Sequence, residues 1–194
     1  MNSKKFKLTS NTKIIVGKTL YQIEALKDFA NVKAGDLGGW IEKEENLCQF
    51  GDAWVSDNAI LYDDARVSDY ARVSDYARVS GNTRISDYAR VSDKARVFGT
   101  ARVFGLARIF DYARVSDLSS LLSITGIGSR FGTVTAFKTQ DKNIGIACGC
   151  FKGTLDEFEK RIKKIHKDNK YSKEYGLLVE LIRVHMNDLP LLEE

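Results

Sequence analysis

The sequence predicts a mainly β protein built on a solenoid of short strands, with a β cap before it and a ββαα module after it. Three observations predict this. A six-residue phrase, Ala-Arg-Val-Ser-Asp-Tyr, recurs from Asp52 onward. Its aliphatic and small positions repeat with a period that no helix follows. The composition changes on both sides of the repeat, which divides the chain into 1–51, 52–129 and 130–194.

The aliphatic position of the phrase is Val55, Leu61, Val67, Val73, Val79, Ile85, Val91, Val97, Val103, Ile109 and Val115. Two residues earlier stands Ala in every unit but one, where Thr83 replaces it. The register continues weakly to Leu121 and Ile127, which makes thirteen hexads between Asp52 and Ser129. Two inward positions in six suit a short strand, a bend and another short strand. Val points in from the strand and small Ala fits where the chain turns. Asp and Gly (Gly81, Gly99, Gly105) recur at the bend, where a positive φ is tolerated. Arg and Ser flank Val and therefore face out.

A solenoid end exposes apolar side chains and unpaired strand edges, so it needs a cap. Residues 5–25 read as short strands, KFKL, KIIV and TLYQIEAL, parted by turns at SNT and GK. Beyond the repeat, Thr133–Thr139 and Ile144–Phe151 read as a hairpin around Gln140-Asp141-Lys142-Asn143. Thr154-Leu155-Asp156-Glu157 is a capping box that opens a helix with Leu155, Phe158, Ile162 and Ile165 on one face. A second helix starts at Ser172, carries Tyr175, Leu178, Leu181 and Ile182, and ends before Pro190. Ile144, Ile146, Cys148 and Cys150 share one strand face. Gly145, Ala147 and Gly149 share the other, where small residues admit a packed helix or a ligand.

The unit V-S-D-Y-A-R resembles the hexapeptide repeat of the left-handed parallel β-helix, the trimeric hexapeptide-acyltransferase superfamily. The resemblance implies three hexads per coil, hence about four coils, roughly 20 Å tall. It also implies left-handed winding, against the usual right-handed crossover, and a homotrimer. The stretch LYQIEALKDFANVKAGDLGGWIEKEENLCQFGDAWV resembles the opening segment of uncharacterised hexapeptide proteins of prophages and enteric bacteria, and TAF…GCF.GT.DEF…H resembles a segment of the same proteins.

The chain of 194 residues is 43% apolar and 29% charged, ordinary for a soluble protein. No apolar run reaches membrane-spanning length, and MNSKKFKLTSNTK lacks the apolar core of a secretory signal, so the cytoplasm of a bacterial host is expected. Net charge is +4, yet residues 52–117 hold ten basic and ten acidic side chains, so the repeat is neutral and duplex nucleic acid is not an expected partner. Neither a membrane partner nor a cofactor is expected.

The acyltransferases implied by the resemblance use a histidine projecting from the coils as a base. Here the coils carry none; His166 and His185 lie on the two C-terminal helices, His166 on a solvated lysine-rich face and His185 half buried. β-helical carbonic anhydrases need three histidine ligands for zinc. Cys48, Cys148 and Cys150 lack the ligands and spacing of a thiolate site and read as small buried hydrophobes. No phosphate-binding loop or dinucleotide fingerprint is present.

What remains is the row of arginines. With 18 residues per coil, Arg66, Arg84 and Arg102 stack on one face, Arg72, Arg90 and Arg108 on a second, and Arg78, Arg96 and Arg114 on a third. Stacked guanidiniums about 5 Å apart repel by about 0.8 kcal/mol even in bulk water. Asp57, Asp75, Asp93 and Asp111 stack at the same spacing, and a salt-bridged surface is the expected structural offset. One coil replaces the outward Ser by Phe98, Phe104 and Phe110, one per face, and each should be covered by a neighbouring protomer, the C-terminal module or a ligand. Aromatic rings beside arginines are the usual chemistry for a nucleotide. Arg90, Arg96, Arg102, Arg108, Phe98, Phe104, Phe110, Tyr70 and Tyr88 are therefore the candidate ligand-binding residues. The expected function is non-catalytic binding by a prophage-type protein that counters host defence, blocking a host protein or sequestering a nucleotide signal. The alternatives are a virion or scaffold part and a diverged acyltransferase.

Overall fold

The computed structural model of the chain describes residues 4–186. It is mainly β, with a parallel β-solenoid of about four turns, a C-terminal antiparallel sheet and two helices. A hairpin of β1 (Phe6–Ile15) and β2 (Lys18–Ala25) leads to β3 (Leu37–Ile41). Eleven two-residue strands follow among the described residues, each ending on the aliphatic residue of a hexad, and nine of them pair Arg with Val or Ile. The first face holds β4 (Trp54–Val55), β7 (Arg72–Val73), β10 (Arg90–Val91) and β13 (Arg108–Ile109). The second holds β5 (Ile60–Leu61), β8 (Arg78–Val79), β11 (Arg96–Val97) and β14 (Arg114–Val115), extended downward by β3, β2 and β1. The third holds β6 (Arg66–Val67), β9 (Arg84–Ile85) and β12 (Arg102–Val103).

The Val, Ile and Leu of the repeat and the Ala two residues before them are all buried in one continuous core. Every Arg of the repeat pairs with the Arg 18 residues away, as Arg72 with Arg90 and Arg90 with Arg108. The corners need a positive φ, and the sequence supplies it with Asp, whose φ lies between 54° and 61° at Asp57, Asp63, Asp69, Asp75, Asp87, Asp93 and Asp111, or with Gly81, Gly99 and Gly105. Asp tolerates this conformation because its carboxylate bonds locally. Asp75 accepts from the Asp93 N–H at 3.2 Å and Asp87 from the Gly105 N–H at 2.9 Å, one coil further on.

That ladder corrects the expected salt-bridged surface. The stacked acids serve the corner backbone, and among the described residues no repeat arginine forms an ion pair with a carboxylate. The register also ends earlier than expected. Leu121–Ile127 is not a further turn of the solenoid but β15, which pairs antiparallel with β16 (Gly132–Lys138). Nor is SNT a turn; β1 runs through it with a bulge between Leu8 and Thr12.

The two ends are closed by chemistry that matches their edges. Along the coils, N–H groups of one turn donate upward to carbonyls of the next, as Arg90 to Ala107 at 2.9 Å and Ser92 to Ile109 at 3.0 Å. The first turn therefore offers carbonyls, and donors meet them. Lys5 Nζ donates to Ala53 O at 2.8 Å, and Asn46 Nδ2 donates to Ala65 O at 2.9 Å. GDLGGW seats the cap by close approach. A Cβ at Gly38 would lie 2.6 Å from Val55 O, and one at Gly39 would lie 2.7 Å from Ala59 O. The last turn offers N–H groups, and hydroxyl oxygens meet them. Thr135 Oγ1 accepts from Arg108 N–H at 3.2 Å, and Ser120 Oγ accepts from Ser116 N–H at 2.9 Å.

The C-terminal sheet is a meander of β15, β16, β17 (Ile144–Cys148) and β18 (Phe151–Thr154). Alternation on its strands divides its two faces. Phe137 and Ala147 join the solenoid core, while Val134, Ala136 and Ile146 pack on α1 (Leu155–His166) and α2 (Lys170–Met186). The small-residue side thus faces the solenoid and not a helix, and Gly145 makes room for the Phe137 ring, which lies where its Cβ would be. Cys150 leaves the strand for an exposed turn. The capping box at Thr154 forms, with Glu157 returning its carboxylate to the Thr154 N–H at 2.8 Å. Ile165 and Leu181, expected inside, are exposed. The expected end of α2 before Pro190 lies outside the described residues.

Candidate functional site

The sequence-predicted residues fall on three faces, so a single chain does not gather them. Arg90, Arg108 and Phe110 share the first face. Arg96 and Phe98 share the second, and Arg102 and Phe104 the third. Tyr70 and Tyr88 stack at the corner between the third and first faces, with ring centroids 4.7 Å apart and planes 6° from parallel.

The three phenylalanines meet three fates. Phe110 is 2% exposed, packed edge-on against Phe137 at 5.0 Å beneath the C-terminal sheet. It is a docking residue and is not free to stack on a ligand. Phe98 is half buried, with the Arg114 guanidinium 5.5 Å from its ring centre. Phe104 is 58% exposed.

Burial separates the ladders. Arg72 and Arg108, both on the first face, are the half-buried arginines of the repeat; the other seven are exposed. Here the ladder is the floor of a groove of about 520 Å³. Arg72, Arg90 and Arg108 run along it, Asn31 of the N-terminal segment and Lys152 of β18 line it, and Trp54 and Phe110 stand at its two ends. No carboxylate side chain lines it. The Ser74 and Ser92 hydroxyls on the floor donate to Asp75 and Asp93 at 2.8 and 3.1 Å, so the floor offers cations and not hydroxyl protons.

Arg72 is desolvated by its half-burial. Burial lowers its pKa, Asp52 opposes that shift, and the Arg90 guanidinium adds to it. Burying a charge without a partner is costly. Arg108 spends one N–H on Gly149 O at 2.8 Å, and Lys152 Nζ lies 4.4 Å above the Phe110 ring and 3.8 Å from Asp93. Along the first face, guanidiniums one strand apart repel by about 0.8 kcal/mol per neighbouring pair in bulk dielectric, and by more where half buried. The third face differs, because Glu44 and Glu45 line the pocket that holds Arg66 and Arg84.

Sequence reasoning named Arg90 and Arg108 but missed Arg72, Lys152 and Asn31. Arg72 had the same signal as its eight fellows. What singles it out is burial by segments distant in sequence.

The remaining chemical groups sit elsewhere. His185 is half buried, its Nε2 3.2 Å from both Leu118 O and Leu121 O. His166 is half buried against the Tyr171 and Tyr175 rings, not solvated as expected. Burial pushes the Cys148 thiol up and the neighbouring Tyr175 opposes that shift, while the Tyr175 phenol is pushed up to about 12 by burial and by Cys148. Among the described residues no three His, Cys, Asp or Glu side chains converge as metal ligands, and no helix is long and apolar enough to cross a membrane.

No family model matches the chain. Over 44 residues it is 50% identical to a protein of Escherichia coli (strain K12) described as the uncharacterized acetyltransferase YdcK. The match covers 22% of this chain and 14% of that protein's length. The parallel solenoid of about four turns and this partial likeness together fit a hexapeptide-repeat superfamily.

Proposed function

We propose that the protein is a non-catalytic binder of an anionic small molecule, a nucleotide among the candidates, and that the first-face groove is its site. The observation that carries this is a row of Arg72, Arg90 and Arg108 whose two outer members are half-buried, with Lys152 beside it and no carboxylate in the lining. In the prophage setting implied by the N-terminal resemblance, such binding withdraws a nucleotide signal from a host defence in the bacterial cytoplasm. A ligand of the folded state at about 100 times its Kd adds about 2.7 kcal/mol of stability. A nucleoside triphosphate should therefore raise the melting temperature, and Arg72→Ala/Arg108→Ala should abolish the rise. Absence of any shift with millimolar nucleotide, or an equal shift in the double variant, rejects the reading.

A second reading is acyl transfer, favoured by the likeness to a protein described as an acetyltransferase. It requires a base, and the two histidines stand in the C-terminal helices, His185 already shared between two carbonyls. Turnover of acetyl-CoA with release of free thiol would establish it in place of the first.

We also propose that the solenoid winds left-handed and that the chain forms a homotrimer through its third face. Phe104 is exposed there, and Tyr70, Tyr88 and Leu106 are exposed along the adjoining corner. Sedimentation equilibrium should return three chains for the wild type and one for Phe104→Lys/Leu106→Lys; a wild-type monomer rejects the trimer.

A further inference from the structure

We propose that the first-face groove takes a linear polyphosphate of three or more phosphates, laid along the solenoid axis, an assignment that rests on the anion-binding reading above. The parallel register sets the shape. Arg72, Arg90 and Arg108 are consecutive rungs of one ladder, so their backbones are about 5 Å apart and the row spans about 10 Å. A single phosphate reaches two neighbouring rungs at most. It leaves a third guanidinium without an anion, and when that one is Arg72 a half-buried cation stays unpaired. A phosphoanhydride chain carries negative charge along its whole length and can meet every rung.

The ends of the groove limit the ligand's length. Trp54, with Phe29 against its ring at 5.4 Å, closes the lower end, and buried Phe110 closes the upper. Lys152 stands beside Phe110, where a terminal phosphate, the most highly charged group of such a chain, comes to rest. Because the Ser74 and Ser92 hydroxyl protons are already committed, selection is by charge along a line and not by hydroxyl donors. The ladders of the other two faces have no half-buried arginine, and the third has glutamates beside it. The site is thus specific to one face although the repeat is common to all.

The test is calorimetric titration of the full chain at one fixed ionic strength with orthophosphate, pyrophosphate, tripolyphosphate, adenosine triphosphate and inorganic tetraphosphate. Affinity should rise about tenfold per added phosphate up to the triphosphate, each step adding a charge-assisted contact. Arg72→Gln should weaken tripolyphosphate about tenfold and pyrophosphate far less, because the shorter anion can sit on Arg90 and Arg108. Arg66→Gln, on the third face, should change neither, and thermal melts of both variants establish that they are folded. Equal binding of tripolyphosphate and adenosine triphosphate supports recognition of the phosphate chain. Binding of the nucleotide without binding of tripolyphosphate overturns the proposal. Orthophosphate binding as tightly as tripolyphosphate also overturns it while the anion-binding reading stands. No binding by any of the five removes both.

Discussion

Phe137→Ala lowers the stability of the folded chain by about 4 kcal/mol, the largest loss expected from any single side chain at the solenoid's upper end. The ring is buried, meets Phe110 edge-on at 5.0 Å, and lies under Gly145, whose missing Cβ leaves the space it fills. Few other large side chains of the C-terminal sheet reach the solenoid core; Ala147 is the buried neighbour on that side. Truncation therefore leaves a cavity between the two layers, and the bond from Arg108 N–H to Thr135 Oγ1 is the next to loosen. Urea denaturation measures the effect. Phe137→Leu, which keeps most of the volume, should cost under about 1.5 kcal/mol. A loss below 1 kcal/mol for the alanine variant would mean that the module is held by something other than this contact.

The solenoid was legible because its signal is local and repeated. A valine and an alanine in every six residues define an inside, and Asp or Gly at the corner supplies the conformation that turns the chain. The capping box at Thr154 was legible for the same reason, since all its partners lie within four residues. The arginine chemistry was legible only in part. Spacing placed the arginines in register, but it placed the aspartates in register too, and spacing alone could not say which partner a carboxylate would choose. With φ positive, the corner carboxylate already lies beside the next coil's N–H, and that short local bond wins over a flexible guanidinium. The groove was not legible, because Asn31 and Lys152, which line it around the Arg72–Arg108 row, come from opposite ends of the fold. The last weak hexads misled because Leu121 and Ile127 keep the apolar spacing of the repeat while serving a two-sided antiparallel strand, whose alternation admits the same positions.

At the lower end the dominant expectation is a pH effect centred on Lys5. Its side chain is fully buried, its ammonium donates to Ala53 O at 2.8 Å and Gly51 O at 3.3 Å, and it lies 5.4 Å from the Phe29 ring centre. Burial lowers its pKa from 10.5 to about 8; Cys48 and Asp52 oppose the shift, and Arg72 and Lys27 add to it. Below pH 8 both the folded and unfolded chains hold this proton, so the desolvation penalty is present in full. Between pH 8 and 10.5 the unfolded chain keeps the proton that the folded chain has released. Stability therefore rises with pH through that window. A shift from 10.5 to about 8 corresponds to about 3 kcal/mol gained once the unfolded lysine has also titrated. Other lysines and tyrosines titrate in the same range, so the informative quantity is a difference. Lys5→Met keeps the stem in the cap and removes the titrating group. The stability of the wild type relative to Lys5→Met should climb by about 3 kcal/mol between pH 7 and 10.5. Parallel pH profiles would show that the lysine reaches water in the folded state, and the first turn's carbonyls would then need another donor.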